Sequence, residues 1–210
     1  MRIARTGTGV VAVLITTFAL AAPPASAGES DIVTEPTRTV AVSEAPECID
    51  AIAATEAAGL EVAKIDCTLT TVATTSAGKV ATATDIASDD TLSAADRKEI
   101  AQAALRATIY SKHYSWATTG GSYTVTHNGT FYYDGSRAWV GVSYQGYTGS
   151  HNCFLNYSVG LTITNEACTE SGGTSSRTLY YQWRVTWPFN VPPSYSVSNT
   201  GYVYANGTTS

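Results

Sequence analysis

The chain has 210 residues and a formal net charge of −5, with enough length to bury a real core in one domain. The acidic balance argues against binding nucleic acid or an anionic membrane through bulk electrostatics.

Residues 1–27 read as an export signal. Arg2 and Arg5 make a basic start, Val10 to Ala22 form an apolar run too short to span a bilayer comfortably, and Ala25-Ser26-Ala27 is a small-residue cleavage pattern. The rest of the chain has no second apolar run of that length, so a soluble, secreted (extracellular) product is expected. Cleavage leaves 10 basic and 17 acidic side chains, and their distribution is uneven. Residues 28–99 carry 14 acids and 5 bases, whereas residues 100–210 carry 3 acids and 5 bases. The two parts should attract each other, or the acidic part should meet a basic partner.

Residues 28–46 read as a flexible acidic leader without aromatics. Inside it, residues 37–43 are β-prone, with Val40 and Val42 alternating with Thr39, Ala41 and Ser43. Such a piece can add itself to an exposed sheet edge of a partner, or be an edge strand of its own domain. An Ala/Thr-rich, partly helical segment follows over 47–112. Cys48, Ile49, Ile52, Ala53 and Ala57 recur at helical spacing, and Gly59 is a plausible stop. Residues 67–75 read as extended, with 79–84 as their return arm. Ser93 followed by Asp96 resembles a capping box opening a helix over 94–111, striped by Ile100, Ala103, Ala104, Ala107 and Tyr110.

All 13 tyrosines and 4 tryptophans lie between Tyr110 and Tyr204, which marks an antiparallel β domain over 113–207. Its expected strands are 113–118, 122–127, 130–133, 136–145, 153–164, 176–187 and 195–204. The fold class is therefore α+β: an antiparallel β-sandwich or small barrel of about seven strands behind the partly helical segment. Two-residue turns at Asn128-Gly129 and Asp134-Gly135 would place Thr126 opposite Phe131, and Tyr132 opposite Arg137. Phe131, Tyr133, Ala138, Val140, Val142, Tyr144, Thr124 and Thr126 then share a core face. Tyr123, Val125, His127, Tyr132, Arg137 and Trp139 share the other. Later on, Leu155, Tyr157, Val159, Leu161 and Ile163 look like core, as do Tyr181, Trp183, Val185 and Trp187, with Tyr180, Gln182, Arg184 and Thr186 opposite.

Four cysteines in an exported chain favour two disulfides, and the most local pairing, Cys48–Cys67 with Cys153–Cys168, is preferred. The second bridge would then tie down the loop over 164–176 rather than the core. No Cys-x-x-Cys occurs, the histidines are not at ligand spacing, and no metal or cofactor is expected.

No phosphate-binding loop, zinc-protease helix or nucleophile elbow is present. Asp134 should be held by its turn, and Glu166 and Glu170 should be solvated beside Cys168. A non-enzymatic interaction protein is the leading expectation: an adaptor, inhibitor or structural subunit whose partner is another secreted protein, contacted through Thr39, Val40, Ala41 and Val42. The alternative is a carbohydrate or cell-wall binding domain using Tyr123, Tyr132, Arg137, Trp139, Tyr180 and Arg184 as an aromatic face, unless the N-terminal helices cover that face. A secreted hydrolase is less favoured. A further possibility is that residues 28–110 form a removable pro-segment.

Overall fold

The computed structural model describes residues 35–62, 65–141 and 152–210; residues 1–27, expected to be an export signal, and the start of the expected leader lie outside them, as does the end of the strand expected over 136–145. In chain order the elements are β1 (Thr37–Glu44), α1 (Pro46–Ala57), β2 (Thr68–Thr75), β3 (Lys79–Val80), α2 (Ala83–Ser88), α3 (Ala94–Ala103), β4 (Tyr110–Gly120), β5 (Tyr123–Tyr133), β6 (Ala138–Gly141), β7 (Asn152–Ser158), β8 (Thr162–Gly172), β9 (Ser176–Thr186) and β10 (Tyr195–Tyr204). They form two antiparallel sheets, a β-sandwich within an α+β chain. The larger sheet has the order β1-β2-β4-β5-β6, with β3 also on β4 and β7 also on β5; the smaller is β10-β9-β8. Sheet pairing crosses the boundary expected at 112/113, because β2 pairs with β4 from Leu69↔Gly120 to Thr75↔Tyr114.

Local signals account for the helices. Pro46 opens α1, and Gly59, at φ +73°, stands just past its end. The Ser93 hydroxyl accepts from the Asp96 amide at the start of α3. That helix stops at Ala103 rather than reaching residue 111, since Tyr110 and Ser111 are taken up by pairing with β3 and β5. The return arm expected over 79–84 is only two strand residues long before α2 begins. There Thr82 and Asp85 form a reciprocal capping box, a Thr-x-x-Asp signal that was present in the sequence.

Asn128-Gly129 is not a turn. β4 and β5 pair without interruption from Tyr110↔Tyr133 to Gly120↔Tyr123, and the chain reverses at Gly121, φ +54°, and Ser122. Gly129 is needed mid-strand for room. A Cβ there would lie 2.5 Å from the Tyr114 Oη and 2.9 Å from its ring. Gly201 similarly lies under the Trp116 ring, which a Cβ would meet at 2.7 Å. The Asp134-Gly135 reversal is real but longer than expected. Asp134 Oδ1 accepts from the Ser136 and Arg137 amides, so the ladder resumes as Tyr133↔Ala138 and Tyr132↔Trp139.

Without a turn at 128–129, alternation is unbroken along β5. Tyr123, Val125, His127, Phe131 and Tyr133 face the smaller sheet, while Thr124, Thr126 and Tyr132 face the other way. The sandwich core sets Tyr114, Trp116, Tyr123, Val125, Phe131 and Tyr133 against Leu179, Tyr181, Trp183, Val185, Val197 and Val203. On the outer face of the larger sheet, Ile86, Leu92, Ile100 and Ile109 cover Tyr132 and Trp139.

The strand expected over 153–164 is two strands in different sheets. Gly160, at φ +71°, lies between β7 and β8, and Leu155, Tyr157 and Val159 are exposed rather than core. β8 continues to Gly172, so Cys168 is in a strand, not a loop. A bulge at Glu166, between Asn165↔Trp183 and Ala167↔Gln182, changes which residues face inward and turns Cys168 into the core opposite Tyr181. The Cys153–Cys168 bridge therefore joins the two sheets through the core, and Cys48–Cys67 ties α1 to the start of β2. Two such bridges fit an oxidising, extracellular environment.

Two outcomes follow from this packing. Gly129→Ala should lower stability by about 1–3 kcal/mol in a thermal or urea melt. Tyr114→Phe, which removes a buried hydroxyl with no hydrogen-bond partner, should be tolerated alone and should recover part of that loss in the double variant. Replacing Cys153 and Cys168 together by Ala should cost roughly 3 kcal/mol, measured against the oxidised wild type.

Candidate interaction surface

The six residues expected to form an aromatic face are not one surface. Tyr123 is 3% exposed and packs edge-on to Trp183 in the sandwich core. Tyr132, 4% exposed, and Trp139, 5% exposed, lie under α2 and α3 on the opposite face. The Tyr132 hydroxyl donates to Asp89 Oδ2 at 2.5 Å. The Arg137 guanidinium sits 5.7 Å from the Trp139 ring centre and pairs with Glu99 of α3. Tyr180 and Arg184 are on the outer face of the smaller sheet, beyond the sandwich core. There the Tyr180 hydroxyl donates to Gln182 Oε1, Gln182 Nε2 to Glu166 Oε2 and Arg184 Nε to Glu166 Oε1, a polar row held by its own members.

The ionisable groups are likewise committed to structure. Glu166 is not in a loop; a hydrogen bond from Ser196 holds its carboxyl below the usual range, with Arg184 adding to this. Glu170 is turned toward the core side and paired with Arg177, and burial raises its pKa against the opposing effect of that arginine. The two carboxylates therefore serve separate ion pairs on opposite sides of β8. His127 is buried, with Nε2 3.0 Å from Asn199 Oδ1, and the Asn199 amide donates to the Thr71 and Thr118 hydroxyls. That network links β2, β4, β5 and β10. Among the described residues, no group of three His, Cys, Asp or Glu side chains is gathered as a metal site, and no helix is long and apolar enough to cross a membrane.

Two features were not read from the sequence. One is an open groove of about 1020 Å³ between α2, α3 and the segment that follows. Val80, Ile86 and Leu105 line it with several alanines, and Arg97, Lys98 and Arg106 stand in its walls. Its members come from three separate stretches, so no local pattern announces it. The other is Lys112, buried on the core side of β4, whose ammonium donates to the Glu35 and Gly207 carbonyls at 2.9 and 3.0 Å. Burial lowers its pKa, with Glu35 opposing. Lys112 thereby fastens the approach to β1 and the C-terminal turn to the same strand.

The β-prone leader piece is an ordered edge strand. β1 pairs with β2 from Thr37↔Thr75 to Glu44↔Thr68 without a bulge, and all eight residues are exposed. Thr39, Val40, Ala41 and Val42 form its middle, with Val40 54% and Val42 67% exposed. The Ala45 amide donates to the Cys67 carbonyl at 2.9 Å, continuing that ladder. Antiparallel hydrogen bonding to one neighbour recurs at every second residue. Odd-numbered residues of β1 therefore bond β2, and residues 38, 40, 42 and 44 turn their N–H and C=O groups outward.

No family model, curated protein or solved structure matches this chain.

The buried tyrosines set an alkaline limit. Burial raises the pKa of Tyr114, Tyr123 and Tyr132, and carries Tyr133 and Tyr195 up to about 12. A folded-state pKa above the unfolded value of about 10 means that the unfolded chain loses these protons first. Their contribution is whole below about pH 10 and is lost as pH rises toward 12. Phenolate absorbance and loss of near-ultraviolet circular dichroism should rise together above pH ~10. Full phenolate titration near pH 10 in a still-folded chain would contradict the packing.

Proposed function

We propose that this is a secreted, non-enzymatic interaction protein, an adaptor, inhibitor or structural subunit of an extracellular assembly, which receives a strand of another secreted protein along the outer edge of β1. The observation that carries this reading is the edge itself: eight regular strand residues, all exposed, with outward backbone groups that no described residue covers. Strand addition draws affinity from main-chain hydrogen bonds and selectivity from alternate side chains, here Val40 and Val42. Secretion rests on the export pattern of residues 1–27, and the two disulfides agree with it.

The carbohydrate alternative has lost the support that suggested it, because Tyr123, Tyr132 and Trp139 are packing residues. A removable segment over 28–110 is also disfavoured on physical grounds. Its loss would take β1, β2 and β3 from the larger sheet and uncover Tyr132 and Trp139.

Val42→Pro is the sharpest test. It removes one outward N–H while leaving the odd-numbered bonds to β2 in place, and edge strands tolerate proline. Partner capture from culture fluid by the immobilised mature chain should fall at least tenfold, about 1.4 kcal/mol. Raised salt should slow association if Glu44 and Glu47 meet a basic rim. Equal capture by the two forms would remove the β1 edge from the mechanism.

A further inference from the structure

The partner strand at β1 can be specified further, resting on the reading that this edge is a binding surface. We infer that two copies of this chain join by antiparallel pairing of β1 with β1, about a two-fold axis at Ala41.

The sequence of the strand is complementary to itself. Reading outward from Ala41, Val40 meets Val42 of the second copy, Thr39 meets Ser43, and Arg38 meets Glu44. The two-fold repeats each pairing, so the interface gains two Val–Val contacts and two opposite-charge pairs. Cross-strand pairs of these types are stabilising, and like charges in the same positions are not. Neither Arg38 nor Glu44 has an ion-pair partner in the chain among the described residues.

The backbone allows this same register. The outward groups belong to residues 38, 40, 42 and 44, and an axis at Ala41 pairs 38 with 44 and 40 with 42. Every hydrogen-bonded pair is therefore made of residues whose N–H and C=O face outward, giving about eight new main-chain bonds. A slip of one residue would set outward groups against groups already bonded to β2. An axis at Val40 puts Arg38 opposite Val42, and an axis at Val42 puts Val40 opposite Glu44 and Arg38 opposite Pro46, which has no N–H.

The surroundings agree. Arg38, Val40, Val42 and Glu44 lie on the outer face of the larger sheet, as the chain of partners Val40↔Val72, Val72↔Ala117 and Ala117↔Thr126 shows. Self-pairing would extend the apolar row from Val72 through Val40 to Val42 of the second copy. Edges that avoid association carry charged side chains, proline, a bulge or a cover. Within Thr37–Glu44 β1 has no proline and no bulge, and its two charges, Arg38 and Glu44, are of opposite sign at positions the two-fold brings together.

Sedimentation equilibrium of the mature chain, from low micromolar to millimolar concentration, tests the inference. The wild type should show a reversible monomer–dimer equilibrium. Val42→Pro should be monomeric while keeping its near-ultraviolet circular dichroism. Arg38→Glu, at an exposed position that the fold does not need, should weaken the dimer about tenfold by setting like charges opposite at both symmetric pairs. Combining Arg38→Glu with Glu44→Arg should restore it to within about threefold of wild type. A wild type that stays monomeric throughout overturns self-pairing, and so does a dimer indifferent to both Val42→Pro and Arg38→Glu. If the monomeric outcome is joined by Val42→Pro-sensitive capture of a different secreted protein, the edge reading stands and only the second copy is ruled out. If capture is insensitive as well, both fail.

Discussion

The Tyr114 ring lying across Gly129 is the contact on which the rest of the sandwich depends. It keeps β4 and β5 in one ladder of eleven paired residues, with no reversal in the middle. A side chain at 129 would push the ring away, and a turn at 128–129 would exchange the two faces beyond it. Because neither occurs, His127, Phe131 and Tyr133 look into the same core as Tyr123 and Val125. Tyr132 is left on the opposite face, where Ile86, Ile100 and Ile109 cover it. Gly201 under Trp116 repeats the device between the sheets, so that large rings fill the core where glycine supplies the space.

The acidic N-terminal part is built into this frame rather than appended to it. β2 occupies the inner position between β1 and β4, and α1 is tied down by Cys48–Cys67. The charge asymmetry along the chain is met by few direct pairs: among the described residues Arg137–Glu99 joins the two parts, whereas Glu166–Arg184 and Glu170–Arg177 lie within the aromatic part. Packing of Ile86 and Leu92 against Ile109, Tyr132 and Trp139 also joins them, with Lys112 holding the Glu35 and Gly207 carbonyls. Tyr114, Tyr123, Tyr132, Tyr133, Tyr181, Trp116, Trp139 and Trp183 are thus packing residues. Along β1 the fold leaves the outward main-chain groups of residues 38, 40, 42 and 44 without a partner among the described residues.

Much of the architecture was legible in the sequence. The α+β class, the antiparallel strands expected over 176–187 and 195–204, the Ser93 cap, the stop near Gly59 and the local cysteine pairing each rest on a short-range cause: alternation, a capping hydroxyl, a left-handed glycine or a short loop. The β-prone character of Val40 and Val42 was legible in the same way. Each of these signals acts within a few residues of itself or, for the cysteines, across a separation of 19 or 15 residues, and so survives into the fold.

The faces were not legible, because alternation has a period of two and one misread reversal inverts everything beyond it. Asn128-Gly129 carries the composition of a tight turn, yet glycine there answers to the Tyr114 ring, fifteen positions earlier in the chain. The bulge at Glu166 had the same effect on Cys168, turning a residue expected in a loop into an inter-sheet bridge. By itself the sequence determined that this protein would be a disulfide-bearing antiparallel β structure with a strand-forming leader. Only the tertiary structure decided which aromatics are buried and that the leader strand ends as an open edge, since both depend on which strand lies beside which, and pairing between distant segments is not encoded in any local pattern.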